Sequence, residues 1–158
     1  MITPNDLASA MARNLGTIKE YTKGLTHADS LLQPPVQGNC MNWVLGHIAG
    51  TRDLILRQLG AEPILTEAES KRYGYGSEPV CADGEDILKL DRLLALLAEA
   101  QERIATVLER ATPEMMSKEV ESFLGKTTLG KLLFFLFYHE TYHLGQLELL
   151  RELARSSR

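Results

Sequence analysis

Apolar residues recur at three- and four-residue steps over four separate stretches of the chain, the spacing of one buried face on an α-helix. The last stretch is the longest. From Thr128 to Ala154 the buried line reads Leu129, Leu132, Leu133, Leu136, Leu147, Leu150 and Ala154. His139 and His143 occupy that same line between Leu136 and Leu147. Residues at i and i+4 stand one above the other, about 6 Å apart along the axis. Two imidazoles so placed can close on one metal ion at about 2.1 Å from each nitrogen.

The first stretch predicts a helix from Thr3, as N-cap, to about Leu25, with Pro4 at the first helical position and Asp6 in the first turn. Its inner line is Leu7, Met11, Leu15, Ile18, Thr22 and Leu25. Pro34-Pro35 and Gly38 break the chain afterwards, and His27 is expected as a solvated imidazole just past the helix end. A second helix runs from Asn39–Asn42 to Leu59 with Val44, Ile48, Thr51, Ile55 and Leu59 inside; His47 borders that line. An imidazole on so apolar a helix needs a partner.

A long connection from Gly60 to about Gly84 follows, carrying Tyr73-Gly74-Tyr75-Gly76, and connections of this length tend to be lids or crossovers. Asp83 is the expected N-cap of a third helix with Ile87, Leu90, Leu94, Leu97, Ile104 and Leu108 inside. Thr112-Pro113 ends it and opens a short turn of helix through Met116. Only Glu119 to Phe123 alternates like a strand, and Gly125-Lys126-Thr127-Thr128 leads into the fourth helix. The expected fold is all-α: a single domain over residues 1–158, a four-helix bundle in up-down-down-up order with a long crossover between helices 2 and 3.

That order brings His47, His139 and His143 to a comparable depth, where three neutral imidazoles leave an open position of the catalytic type. Nitrogen-only ligation suits Zn or Ni, admits Fe, and disfavours Ca or Mg. His139-Glu140-Thr141-Tyr142-His143 also matches the HExxH string of zinc proteases. The metzincin continuation fails, because Gln146 and Leu149 stand where it needs Gly and His. Glu140 and Tyr142 are the adjacent candidates for proton handling. Tyr73 and Tyr75 serve either as a lid over the metal end or as packing clamps. The run Leu132 to Tyr138 is apolar all round, which calls for either a homodimer surface or a thick core.

Composition adds exclusions. The 158 residues are 44% hydrophobic and 24% charged with net charge −4, and no basic stripe marks a nucleic-acid binder. No stretch reaches membrane-spanning length, and the N-terminus lacks a signal-peptide pattern. Two cysteines, Cys40 and Cys81, without a CxxC pair point to a reducing, cytoplasmic setting and to buried or incidental thiols.

Asn42-Trp43-Val44-Leu45-Gly46-His47, the Tyr-Gly-rich connection, and His139 through Leu147 together resemble the DinB-like family of metal-binding four-helix bundles. The resemblance covers nearly the whole chain and implies a three-histidine site for Ni or Zn, with His47, His139 and His143 at the ligand positions. It further implies frequent homodimers and, for several relatives, transferases using a low-molecular-weight thiol such as bacillithiol or mycothiol. The leading expectation is therefore a divalent-metal-dependent thiol S-transferase joining a bacillithiol-, mycothiol- or glutathione-type thiol to a small electrophile. A metal-dependent hydrolase of a small molecule and a non-catalytic metal- or ligand-binding dimer stand beside it.

Overall fold

The computed structural model describes residues 3–123 and 125–157. Met1, Ile2, Leu124 and Arg158, which the expected domain of 1–158 includes, lie outside the described residues. Four long helices dominate: α1 (Pro4–Thr22), α3 (Met41–Gln58), α5 (Leu90–Leu108) and α7 (Leu129–Ser156). Short elements sit between them: α2 (His27–Ser30), α4 (Glu67–Arg72), α6 (Pro113–Ser117), and the strands β1 (Glu119–Ser122) and β2 (Gly125–Thr128).

The helix starts follow local chemistry. Thr3 accepts from the Asp6 N–H while the Asp6 carboxylate takes the Thr3 N–H, and the same reciprocal cap recurs at Thr26/Asp29 and Thr66/Glu69. Asp83 does not cap the third long helix as expected. Its carboxylate is drawn to Lys89 and His27, and the helix begins only at Leu90 with no side-chain cap. His27 is accordingly not the solvated imidazole expected: it opens α2 and meets Asp83 at 3.1 Å. The inner seam of α5 also turns slightly, with Leu93 and Leu96 fully buried and Leu94 only partly so.

The one stretch that alternates like a strand belongs to a small hairpin in the otherwise helical fold. Glu119–Ser122 pairs antiparallel with Gly125–Thr128, in the register Glu119 opposite Thr128 and Val120 opposite Thr127. The four-residue lead into α7 is thus a strand. Glycine suits Gly125, whose φ of 79° lies in the left-handed region.

In the bundle α1 packs against α5 and α7, and α3 packs against the same two. Asn42 donates to the Leu88 carbonyl near the start of α3, and Arg52 reaches Leu97 and Gln101 further along. From Met41 to Ala49 every residue of α3 is buried, so its histidine is enclosed by apolar neighbours. Among the described residues no helix is long and apolar enough to cross a membrane.

Candidate metal centre

His47 projects from α3 and His139 and His143 from α7, and one ring nitrogen of each lies within 4.8 Å of the others. The ring centroids stand 5.2 Å (His47–His139), 4.9 Å (His47–His143) and 4.5 Å (His139–His143) apart. His47 and His143 are buried and His139 is half-buried. The side chains meet because both helices are held in rotation by the residues around them.

Behind His47 the long connection folds back onto α3. The Tyr73 ring lies directly on Gly46, where a Cβ would come within 2.1 Å of Tyr73 Cδ1, so only glycine admits it. The Tyr73 hydroxyl donates to Asn42 Oδ1 (3.0 Å) and accepts the Leu88 N–H (2.8 Å). Its carbonyl faces His47 Nδ1 at 3.1 Å. Trp43 stacks on His47 with centroids 4.9 Å apart and planes 10° from parallel, while its indole N–H donates to Ser77 at 3.0 Å.

These contacts fix proton positions. A carbonyl oxygen only accepts, so His47 carries its proton on Nδ1 and keeps a lone pair on Nε2. The Gln146 amide oxygen, 2.6 Å from His143 Nδ1, does the same for His143. His143 Nε2 then faces His139 Nε2 at 3.2 Å. Two ligand nitrogens on one zinc, with bonds of about 2.1 Å and tetrahedral angles, stand about 3.4 Å apart. The donor set therefore fits a metal ion. His139 lacks a comparable orienting partner, and its buried Nδ1 is unpaired.

Burial pushes all three imidazoles below the ordinary histidine range. For His139 the His143 and His47 rings add to burial, and its pKa falls to about 4. His47 is lowered mainly by burial, against the pull of the Tyr73 carbonyl, and His143 likewise, against Gln146 and Glu140. Neutral rings are the form that binds metal.

The other predicted residues fall elsewhere. Glu140 is fully buried and both its oxygens are taken by Arg52, at 2.8 and 2.9 Å, so its carboxylate is not offered to the histidines. This removes the base that a zinc-protease reading requires. Tyr142 stands at the rim, 62% exposed, with its ring 5.5 Å from that of His143. Tyr73 is fully buried, its ring against Gly46. Tyr75 is exposed and borders a cavity of about 570 Å³ that opens beside His47 and His139. Cys40 is buried, its thiol donating to the Val80 carbonyl and pushed up by burial, and Cys81 is exposed.

Three contributors carried no expectation: Arg52, the Tyr73 carbonyl and Gln146 as the orienting partner of His143. Gln146 sits three residues after His143 on one helix, a spacing visible in sequence. The other two had no such signal.

A family model described as the DinB superfamily matches residues 10–147. Among solved structures, one titled as a conserved protein of locus from Enterococcus faecalis is similar at 17% identity, covering 99% of each chain with a TM-score of 0.76. That likeness shows the fold. No curated protein matches the chain.

Proposed function

The chain belongs to the DinB superfamily, and from that premise we propose that His47, His139 and His143 hold one divalent ion, nickel or zinc, in a metal-dependent thiol S-transferase. The observation that carries the reading is the tautomer control. The Tyr73 carbonyl and the Gln146 amide leave His47 and His143 with free Nε2 lone pairs, that of His143 facing His139 at 3.2 Å. In the metal-free protein a proton on His139 Nε2 bridges to the His143 lone pair, and a divalent ion would take that proton's place among the three rings. A divalent ion there supplies Lewis acidity that favours a thiolate at neutral pH.

The chain's own residues do the remaining work. Trp43 covers one face of the His47 ring, and the cavity beside His47 and His139 gives an electrophile a place next to the thiol. In the transfer the sulfur forms a bond to the electrophilic carbon, the leaving group departs with its electron pair, and the thiol proton passes to solvent. Tyr142, at the rim, is the remaining candidate for handling that proton. The reading carries an up-down-down-up order for the long helices, favoured by the pairings of Asn42 with Leu88 and of Arg52 with Leu97. It also includes a homodimer that covers the exposed Phe134, Tyr138 and Leu149 on α7, and a reducing, cytoplasmic setting for the two free cysteines.

Elemental analysis of untagged protein tests the metal, with near-stoichiometric content expected. Conjugation of 1-chloro-2,4-dinitrobenzene to bacillithiol, mycothiol or glutathione, with zinc or nickel supplied, tests the transfer. Thiol-free turnover would instead favour hydrolysis, and metal uptake with no turnover would favour a binding protein.

A further inference from the structure

The cavity beside the histidines has a composition that the metal site does not explain. Its inner wall is Leu54, Phe135 and Leu136, its mouth carries Tyr75 and Phe123, and His47 and His139 stand at one end. Among the described residues no Lys, Arg, Asp or Glu lines it. Of the polar groups nearby, Thr51 donates to the His47 carbonyl and the Tyr73 hydroxyl is bound to Asn42 and Leu88, which leaves the neutral Ser70 hydroxyl beside the histidines. An anionic group placed against this wall would lose its water with no cation of the protein to replace it.

Gly50 is the second observation. It lies inside α3, three residues after His47, where glycine is less favourable to a helix than alanine. A Cβ there would meet nothing within 4 Å, and its backbone is ordinary helix, so neither packing nor conformation demands glycine. Gly50 borders the cavity. What its missing side chain provides is room. Phe123, 66% exposed with its ring 5.8 Å from Phe135, continues the apolar wall outward instead of closing it.

We propose that this cavity binds the uncharged, predominantly apolar body of a small ligand, with Gly50 left bare to admit it and the histidine end receiving its one polar head. The volume of about 570 Å³ lies within the range of small-molecule sites. The inference rests on the proposed function only for the head group; the apolar body needs no metal. It narrows the electrophile to neutral molecules with an alkyl or aryl body, and it sends the charged or sugar portions of a cellular thiol outside this wall.

The test uses matched probes on the full-length protein: 1-octanol and octanoate, alike in chain and different in charge. Calorimetry on chelator-treated protein, followed in parallel by fluorescence of Trp43, the single tryptophan, reads the cavity without metal. Octanol is expected to bind about tenfold or more tighter than octanoate. Along Gly50→Ala, Gly50→Leu and Gly50→Phe its affinity should fall with side-chain size while the helical circular dichroism holds. Equal binding of the two probes, or a folded Gly50→Phe that binds octanol like the parent, overturns the proposal. Should the phenylalanine variant not fold, flat affinity across the smaller two overturns it equally. Zinc uptake is measured separately, so its failure alongside an intact octanol preference removes the metal centre and supports the cavity.

Discussion

At a single histidine, the decisive atom is the nitrogen that does not face the site. For His143 that nitrogen meets Gln146 at 2.6 Å, and partners of this kind typically hold a factor of 10–100 in metal affinity. Gln146→Leu should therefore weaken zinc binding by about that range in competition with a chelating dye, while His143→Ala should lose the metal from elemental analysis altogether. The three lowered pKa values set a pH dependence for the metal-free protein. Folded His139 stays neutral down to about 4, whereas the unfolded chain takes up a proton near 6.5. The unfolded state then binds more protons between those values, so stability falls as pH drops from about 6.5 toward about 4 and is fully present above that window. The urea midpoint of metal-free protein should be lower at pH 5 than at pH 7.5, and His139→Gln should flatten the difference. An equal slope in the variant would count against His139 as the source.

Between helices, a buried ion pair fixes which faces meet. Arg52 is wholly enclosed and bonds Glu140 of α7, the Leu97 carbonyl and Gln101 of α5, and the Met11 carbonyl of α1. Glu140 lies between His139 and His143 in sequence, so the pair also sets the rotation of the helix that presents them. Removing one partner strands a buried charge. Arg52→Met or Glu140→Leu alone should cost about 3–5 kcal/mol in urea denaturation, and the double variant clearly less than the two losses added. Sequence gave no route to this pair. Arginine and glutamate are expected at the surface, and helical spacing alone cannot match two residues 88 positions apart. Adjacency to His139 makes Glu140 a candidate for proton handling in the sequence, whereas in the fold Arg52 takes both its oxygens. The delayed start of α5 has a similar cause: Asp83 has the right identity for a cap, but Lys89 and His27 take its carboxylate first.

Across the whole molecule, the helical class and the convergence of three histidines were legible because both follow from a period of 3.6 residues and one long crossover. The hairpin was half legible. Glu119 to Phe123 alternates, but Gly125–Thr128 is too polar to announce a strand and is one because β1 lies opposite. The outer face of α7 leads to a further prediction. Phe134, Tyr138 and Leu149 are exposed at 45%, 61% and 74% along one helix, and a second copy of the chain would cover them. Light scattering should give about twice the chain mass, and Tyr138→Asp should return it to one chain with its helical signal kept; a parent that is already monomeric would end that idea.

The fold of Tyr73 onto Gly46 has one more consequence. The segment between the second and third long helices is where a protein engineer would look first for a spare loop to trim, graft or open for a fusion. Here it is part of the instrument: excising it would free the proton on His47 to choose either nitrogen.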